Sequence, residues 1–323
     1  MAYRYYLNNL RVTATFFVVL LHTTSYSSVY NVDDFSQIVL RLYHDIGVFA
    51  VPVFVMISGS LFLDCNKQIS YKILFQKYVR RIALALVVFG LPMCFLETIL
   101  NKDGGIDTAI YHFITGHSWD HMWYLYMLIF LYLMTPVLKP FMTHCSKSTI
   151  EIGLLVLFVC SILLPTLKHY GCALESWMMF TPYPFYYLLG GYISNTYSSK
   201  IPKLTFYVIL SLFIVSILIS ILCGMETPGY YNILSFIGAS SIFALFKRTE
   251  GNWKLANKIS PYTFSIYIIH PIFIHIAYKL IHFDPAIYFP IWLSIIPFAF
   301  IVFGLAYLSG WLLKKIPAFK YIL

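Results

Sequence analysis

Residues 10–22 read LRVTATFFVVLLH, an apolar run carrying Arg11 near its start and His22 at its end. At 3.6 residues per turn, eleven positions make about three turns, so both side chains project from one helix face. The rise between them is about 16 Å, roughly half of a ~30 Å bilayer core. The spacing therefore puts a cation at a membrane edge and a titratable imidazole half-way up the helix. A border arginine and a packing histidine would give the same pattern, so the rest of the chain must decide.

Of the 323 residues, 60% are hydrophobic and 11% charged, with a mean hydropathy of +0.76. A soluble domain is nearer about 25% charged. Such a chain is a polytopic membrane protein, where helices satisfy the backbone in lipid. Its long continuous apolar runs exclude the alternating pattern of an outer-membrane barrel. The 19% aromatic content suits helix ends anchored at the interface. No small-residue cleavage site follows His22 and many spans come after it, so the first segment is not a cleavable signal. The net charge of +9 invites a nucleic-acid reading, but the basic residues punctuate the spans instead of forming one patch, and no nucleic-acid partner is expected. The six cysteines show no C-x-x-C or Cys/His ligand spacing, so no metal site is expected. Cys172 and Cys223 both fall near the outer face, where a disulfide between them has room but no support.

The predicted fold is all-α: a single membrane-embedded domain over 1–323 with about ten transmembrane helices, at about 10–29, 45–63, 80–100, 122–141, 150–167, 180–197, 204–223, 230–246, 260–281 and 288–312. With the N-terminus inside, the inner segments hold all the lysines and arginines except Arg41, Lys102, Lys168 and Lys279. That asymmetry orients the chain with both termini cytoplasmic. Most acidic residues lie on the other side, leaving a basic inner face that attracts anions, whether lipid headgroups or a phosphorylated cofactor.

Four further stretches carry polar chemistry. In YKILFQKYVRRIALAL, Lys77 stands i, i+3 and i, i+4 from Arg80 and Arg81, so an α-helix gives all three one face; phosphate and anionic lipid both suit them. In VPVFVMISGSLFL, Ser58-Gly59 lets a second backbone or a thin substrate come close, and Pro52 can bend the helix. In HSWDHMWYLYMLIFLYLMTP, residues 117–136, Asp120, His121 and Trp123 offer carboxylate, imidazole and indole at the outer interface, for a sugar or for an aromatic belt. In SPYTFSIYIIHPIFIH, residues 260–275, Ser265, Tyr267 and His270 line the ninth span, while His275 suits packing or the interface.

In this order the pieces resemble the membrane acyltransferase-3 family over essentially the whole chain. The carriers are Arg11-x10-His22, FVMISG, the basic start of the third span, HMWYL with Tyr132 and Pro136, and SIYIIHP. Length and the lack of an attached extracellular domain look most like the branch that O-acetylates enterobacterial common antigen. The resemblance implies an O-acyltransferase of the bacterial inner membrane, with acetyl-CoA as acyl donor. The acceptor would be a hydroxyl on an envelope glycan or lipid-linked sugar, and no metal is implied. By position, Arg11 would hold the CoA or its thioester arm, His22 would act as general base or acyl relay, and Lys77, Arg80 and Arg81 would grip CoA phosphates. Ser58, His121, Trp123, Tyr267 and His270 would face the substrate; Ser58, Tyr267 or a protonated His270 would serve as the oxyanion donor. Two departures stand out. Asn8 occupies the place of an acidic residue often found three positions before the arginine. The usual Arg-x-x-Arg of the third span is here Lys77-x-x-Arg80, or Tyr78-x-x-Arg81.

The alternative is a transporter or flippase of a lipid-linked glycan, which would show inverted repeats and paired broken helices; neither is visible. A membrane scaffold is the third reading, and it predicts no effect of removing His22 beyond folding.

Overall fold

The computed structural model describes residues 4–27, 33–67, 70–101, 104–117, 119–196, 229–249 and 251–323, with residues 207–208, 211–212 and 214–215. The described residues are helical, with no strand among them. The main helices are α1 (Tyr5–Ser27), α2 (Asp34–Gly47), α3 (Ala50–Phe62), α4 (Tyr71–Ile99), α5 (Ile106–Thr115), α6 (Trp119–His144), α7 (Lys147–His169), α8 (Tyr183–Thr196), α9 (Ile233–Thr249), α10 (Lys254–Leu280) and α11 (Ile291–Leu313).

Six helical stretches among the described residues are long and apolar enough to cross a membrane: α2 with α3, then α4, α6, α7, α10 and α11. The figure is lower than the expected ten for physical reasons. The α1 helix has 23 residues, but Arg11, His22 and the polar run after it lower its apolarity. The α8 and α9 helices have 14 and 17 residues, short for a full span. The segment 204–223 lies largely outside the described residues, as does Cys223; Cys172 is a free thiol.

Side-chain contacts order the helix ends. At one end, the buried Asp64 after α3 accepts from Arg4 before α1 at 2.8 Å, with Lys67 at 3.8 Å. Lys247 at the end of α9 donates to Ile193 O at 2.9 Å and Ser194 O at 3.3 Å, capping α8 as a cation at a helix C-terminus does. This is the basic end of the bundle. At the other end, Trp119 meets His275, and Trp123 packs on Tyr183 and Tyr230.

The α3–α8 seam is the tightest among the described helices. A Cβ on Gly59 would stand 1.8 Å from Tyr187 O, and one on Gly190 would stand 2.1 Å from Met56 O. Two backbones come this close only where side chains are missing. The Ser58-Gly59 pair thus divides its work: Gly59 serves the seam, and Ser58 turns to a cavity. The α1 helix is shared by two apolar cores. Leu10, Ala14 and Val18 pack with α3, α8 and α9, while Val19 and Leu20 pack with α10 and α11.

Candidate active site

A cavity of about 310 Å³ lies between α1, α3, α4, α6 and α10. Arg11 and Arg81 line it together with Ser260 and Pro261, where α10 starts at the basic end. Phe54, Ile57 and Leu128 form apolar walls, and Ser58, Tyr124, Tyr132 and Tyr267 supply hydroxyls. The guanidinium of Arg81 lies 5.0 Å from the centre of the Phe264 ring and donates to Ile322 O at 3.1 Å and to Leu323 O.

The three basic residues of α4 separate here. Arg81 lines the cavity, whereas Lys77 and Arg80 are exposed. A π-helical stretch over Leu74–Val79 ends just before Arg80 and Arg81. Its i→i+5 hydrogen bonding swings Arg80 further from Lys77 than an α-helix would, and packing against the C-terminal residues Ile322 and Leu323 holds Arg81 inward.

Further along the cavity wall, Tyr267 donates its hydroxyl proton to the carbonyl of His121, and its ring lies 5.1 Å from the His121 ring. There α1, α6 and α10 bring three imidazoles together. Ring centres are 5.1 Å apart for His22–His270, 5.4 Å for His121–His270 and 6.0 Å for His22–His121. His121 and His270 are 2% and 0% exposed. The one-face expectation for Arg11 and His22 is met in kind: Arg11 faces the start of α10, and His22 faces His270 further along it.

His270 Nδ1 lies 3.1 Å from Ile266 O and 2.8 Å from Tyr267 O. Both partners are carbonyls, so this nitrogen carries the proton and Nε2 is an acceptor. Nε2 of His270 and both nitrogens of His121 have no hydrogen-bond partner among the described residues. Buried polar atoms of this kind normally have one, and their lack marks a place for a polar ligand group. No three His, Cys, Asp or Glu side chains among the described residues are arranged to hold a metal ion.

Other sequence candidates fall elsewhere. Trp123 belongs to an aromatic cluster with Tyr183 at 5.6 Å and Tyr230 at 5.5 Å, and it does not line the cavity. The Asp120 side chain lies outside the described set. His275 accepts from Trp119 Nε1 at 2.9 Å. Asn8 donates to Asn257 Oδ1 at 2.8 Å and accepts from Ser260 Oγ at 3.1 Å, so it ties α1 to the start of α10, beside the cavity. Sequence reading missed Tyr124 and Lys314. Tyr124 lay within an aromatic run whose reading, for a sugar or for an aromatic belt, rested on Asp120, His121 and Trp123. Lys314 was one of many inner lysines; it donates to the carbonyl of Pro261 on the cavity rim.

A family model described as an acyltransferase domain, acyltransferase 3, matches residues 4–314. The chain belongs to the membrane acyltransferase-3 family. No curated protein and no solved structure matches it. As an acyltransferase it needs a seat for a donor, a base near the acceptor and a route between them. Among the described residues, the arginine-lined cavity and the three imidazoles offer cationic and basic groups of this kind.

Proposed function

We propose that this acyltransferase is an acyl-CoA-dependent O-acetyltransferase of the bacterial inner membrane, with ten spans and both termini cytoplasmic. It would move an acetyl group to a hydroxyl of an envelope glycan or lipid-linked sugar. One observation supports the reading: Tyr267, which lines the cavity with Arg11 and Arg81, packs on His121, whose ring lies against those of His22 and His270 just beyond the cavity wall. A CoA head is polyanionic and stays at the basic end, held by guanidinium groups in charge-assisted hydrogen bonds. Its thin pantetheine arm suits the apolar walls of the cavity and carries the thioester inward. The acceptor hydroxyl would give its proton to His22 and attack the thioester carbon; the C–S bond breaks, and His22 returns the proton to the departing sulfur, which leaves as the CoA thiol. Tyr267 and His270 have committed their protons to carbonyls, which leaves Ser58, on the cavity wall and hydrogen-bonded to Tyr132, as the oxyanion donor of the three considered; its proton would turn from Tyr132 to the oxyanion.

The test is transfer of radiolabel from acetyl-CoA to a lipid-linked glycan by purified protein in vesicles. Label on the glycan supports the reading; glycan moved across the membrane without label supports a flippase instead. Arg81→Ala is expected to raise the KM for acetyl-CoA about 10- to 100-fold with kcat little changed, from loss of a charged hydrogen bond worth about 1.5–3 kcal/mol. Lys77→Ala and Arg80→Ala are expected to change KM less than about threefold, as befits exposed cations.

Lys314 adds a pH dependence. Burial and the neighbouring Arg81 lower its pKa from the ordinary 10.5 to about 8. Its charge is present below about pH 8 and lost above it, so the KM for acetyl-CoA is expected to rise between about pH 7 and pH 9. Lys314→Arg is expected to flatten that rise. For stability the sign is opposite: between about pH 8 and 10.5 the unfolded state binds more protons at this site, so the contribution of Lys314 to stability improves as pH rises.

A further inference from the structure

We infer that His270 is a positioning residue that receives an N–H of the His22 imidazolium through its Nε2. The inference rests on the acyltransferase reading above. When His22 takes the proton of the acceptor hydroxyl, it becomes a cation with two N–H donors. His22 is part-buried, and an N–H of it turned toward the bundle interior needs an acceptor there.

Three observations select His270. First, it has the nearest imidazole to His22, at 5.1 Å between ring centres with the planes tilted by 48°. Second, its tautomer is fixed: Nδ1–H is held by the carbonyls of Ile266 and Tyr267 in its own helix, so Nε2 is a lone pair. The next residue explains why a carbonyl is open to it. Pro271 has no N–H to send back four positions, so the Tyr267 carbonyl lacks its usual helical donor and accepts from Nδ1 instead. Third, Nε2 is buried and has no partner among the described residues, although the ring is wholly inaccessible. An unpartnered buried acceptor is costly in the resting protein. The cost is recovered if a donor appears beside it during the reaction, and the one that appears is protonated His22. The contact would close by rotation of the His22 ring alone, with His270 held by its Nδ1 bonds, and catalytic hydrogen bonds often tighten only in the reacting complex.

This role has the logic of the carboxylate in a hydrolase triad, which orients the histidine and stabilises its imidazolium. A neutral imidazole does the same without a second buried charge. It also removes His270 from the role of oxyanion donor, because its single proton is already committed. His121 differs: neither of its nitrogens has a hydrogen bond comparable to those that hold Nδ1 of His270.

The test compares wild type, His270→Leu and His270→Gln in the radiolabel assay, with thermal unfolding of each. The glutamine amide oxygen can reach the position of Nε2; leucine offers no acceptor. His270→Leu is expected to lower kcat about 10- to 100-fold with the KM for acetyl-CoA unchanged, as for loss of a hydrogen bond to a charged group. His270→Gln is expected to recover most of that loss. Wild-type kcat in His270→Leu would overturn the inference, and so would equal losses in the two variants at equal unfolding temperature. If both unfold early, His270 is a structural residue and the inference is overturned as well. A silent wild type would overturn the acyltransfer reading itself, an outcome distinct from an active wild type with an indifferent His270.

Discussion

Replacing His22 by alanine is expected to lower kcat for acyl transfer about 10²- to 10⁴-fold, the range for loss of a general base. The KM for acetyl-CoA is expected to stay near that of the wild type. In the proposed reading the anionic head of the donor sits with Arg11 and Arg81, and His22 is about 16 Å along α1 from Arg11. The fold should survive, because the apolar faces of α1 are built from Leu10, Ala14, Val18, Val19 and Leu20 and not from His22. Steady-state kinetics beside a thermal unfolding curve checks both parts. Wild-type kcat in this variant would remove His22 from the reaction, and a shared loss of kcat and folding would make it a packing residue.

The second large effect concerns the scaffold. Gly59→Val and Gly190→Val are each expected to prevent recovery of folded protein. The atoms that an added Cβ would meet are main-chain oxygens, at 1.8 Å and 2.1 Å, and neither can turn aside as a side chain does. Overpacking a core costs about 1–3 kcal/mol when side chains can adjust. Here two helices must move apart, against a total stability of only about 5–15 kcal/mol. The α3–α8 seam also holds Ser58 on the cavity wall, so a partial separation would distort the site. Size-exclusion chromatography of detergent extracts reads the result. A monodisperse peak with wild-type stability from either variant would mean that the helices pack less closely than described. Ser58→Ala, one residue away but turned to the cavity, is expected to leave that peak intact.

The parts of the site legible in sequence are those set by helical geometry within one segment. Arg11 and His22 share a face because eleven residues nearly complete three turns. Gly59 in an apolar span announced a close backbone approach, and Gly190 supplies the other half. The register of α4 was not legible. Nothing in LFQKYV requires a π-helical stretch, and with an α-helical register Lys77, Arg80 and Arg81 look equivalent. Only the fold turns Arg81 inward and leaves the other two outside. The histidine cluster was legible in its members but not in its assembly. His22, His121 and His270 come from three helices far apart in sequence, and no local spacing predicts that their rings meet. Asn8 had the opposite fate. It looked like a missing partner for Arg11, yet its amide bonds to Asn257 and Ser260, a contact with a distant segment that only packing reveals. The spans show the same division: strongly apolar segments were found, while α2, an amphipathic helix capped by Asp33, extended the second span back to Asp34.

The most direct measurement is the sidedness of donor use. The protein is reconstituted into vesicles, its orientation is fixed by protease access to the basic end, and radiolabelled acetyl-CoA, which does not cross the bilayer, is supplied on one side at a time. Label is expected on the glycan only when acetyl-CoA reaches the end that carries Arg11, Arg81 and Lys314. Transfer with acetyl-CoA confined to the opposite side would contradict the arginine-lined mouth as the way in.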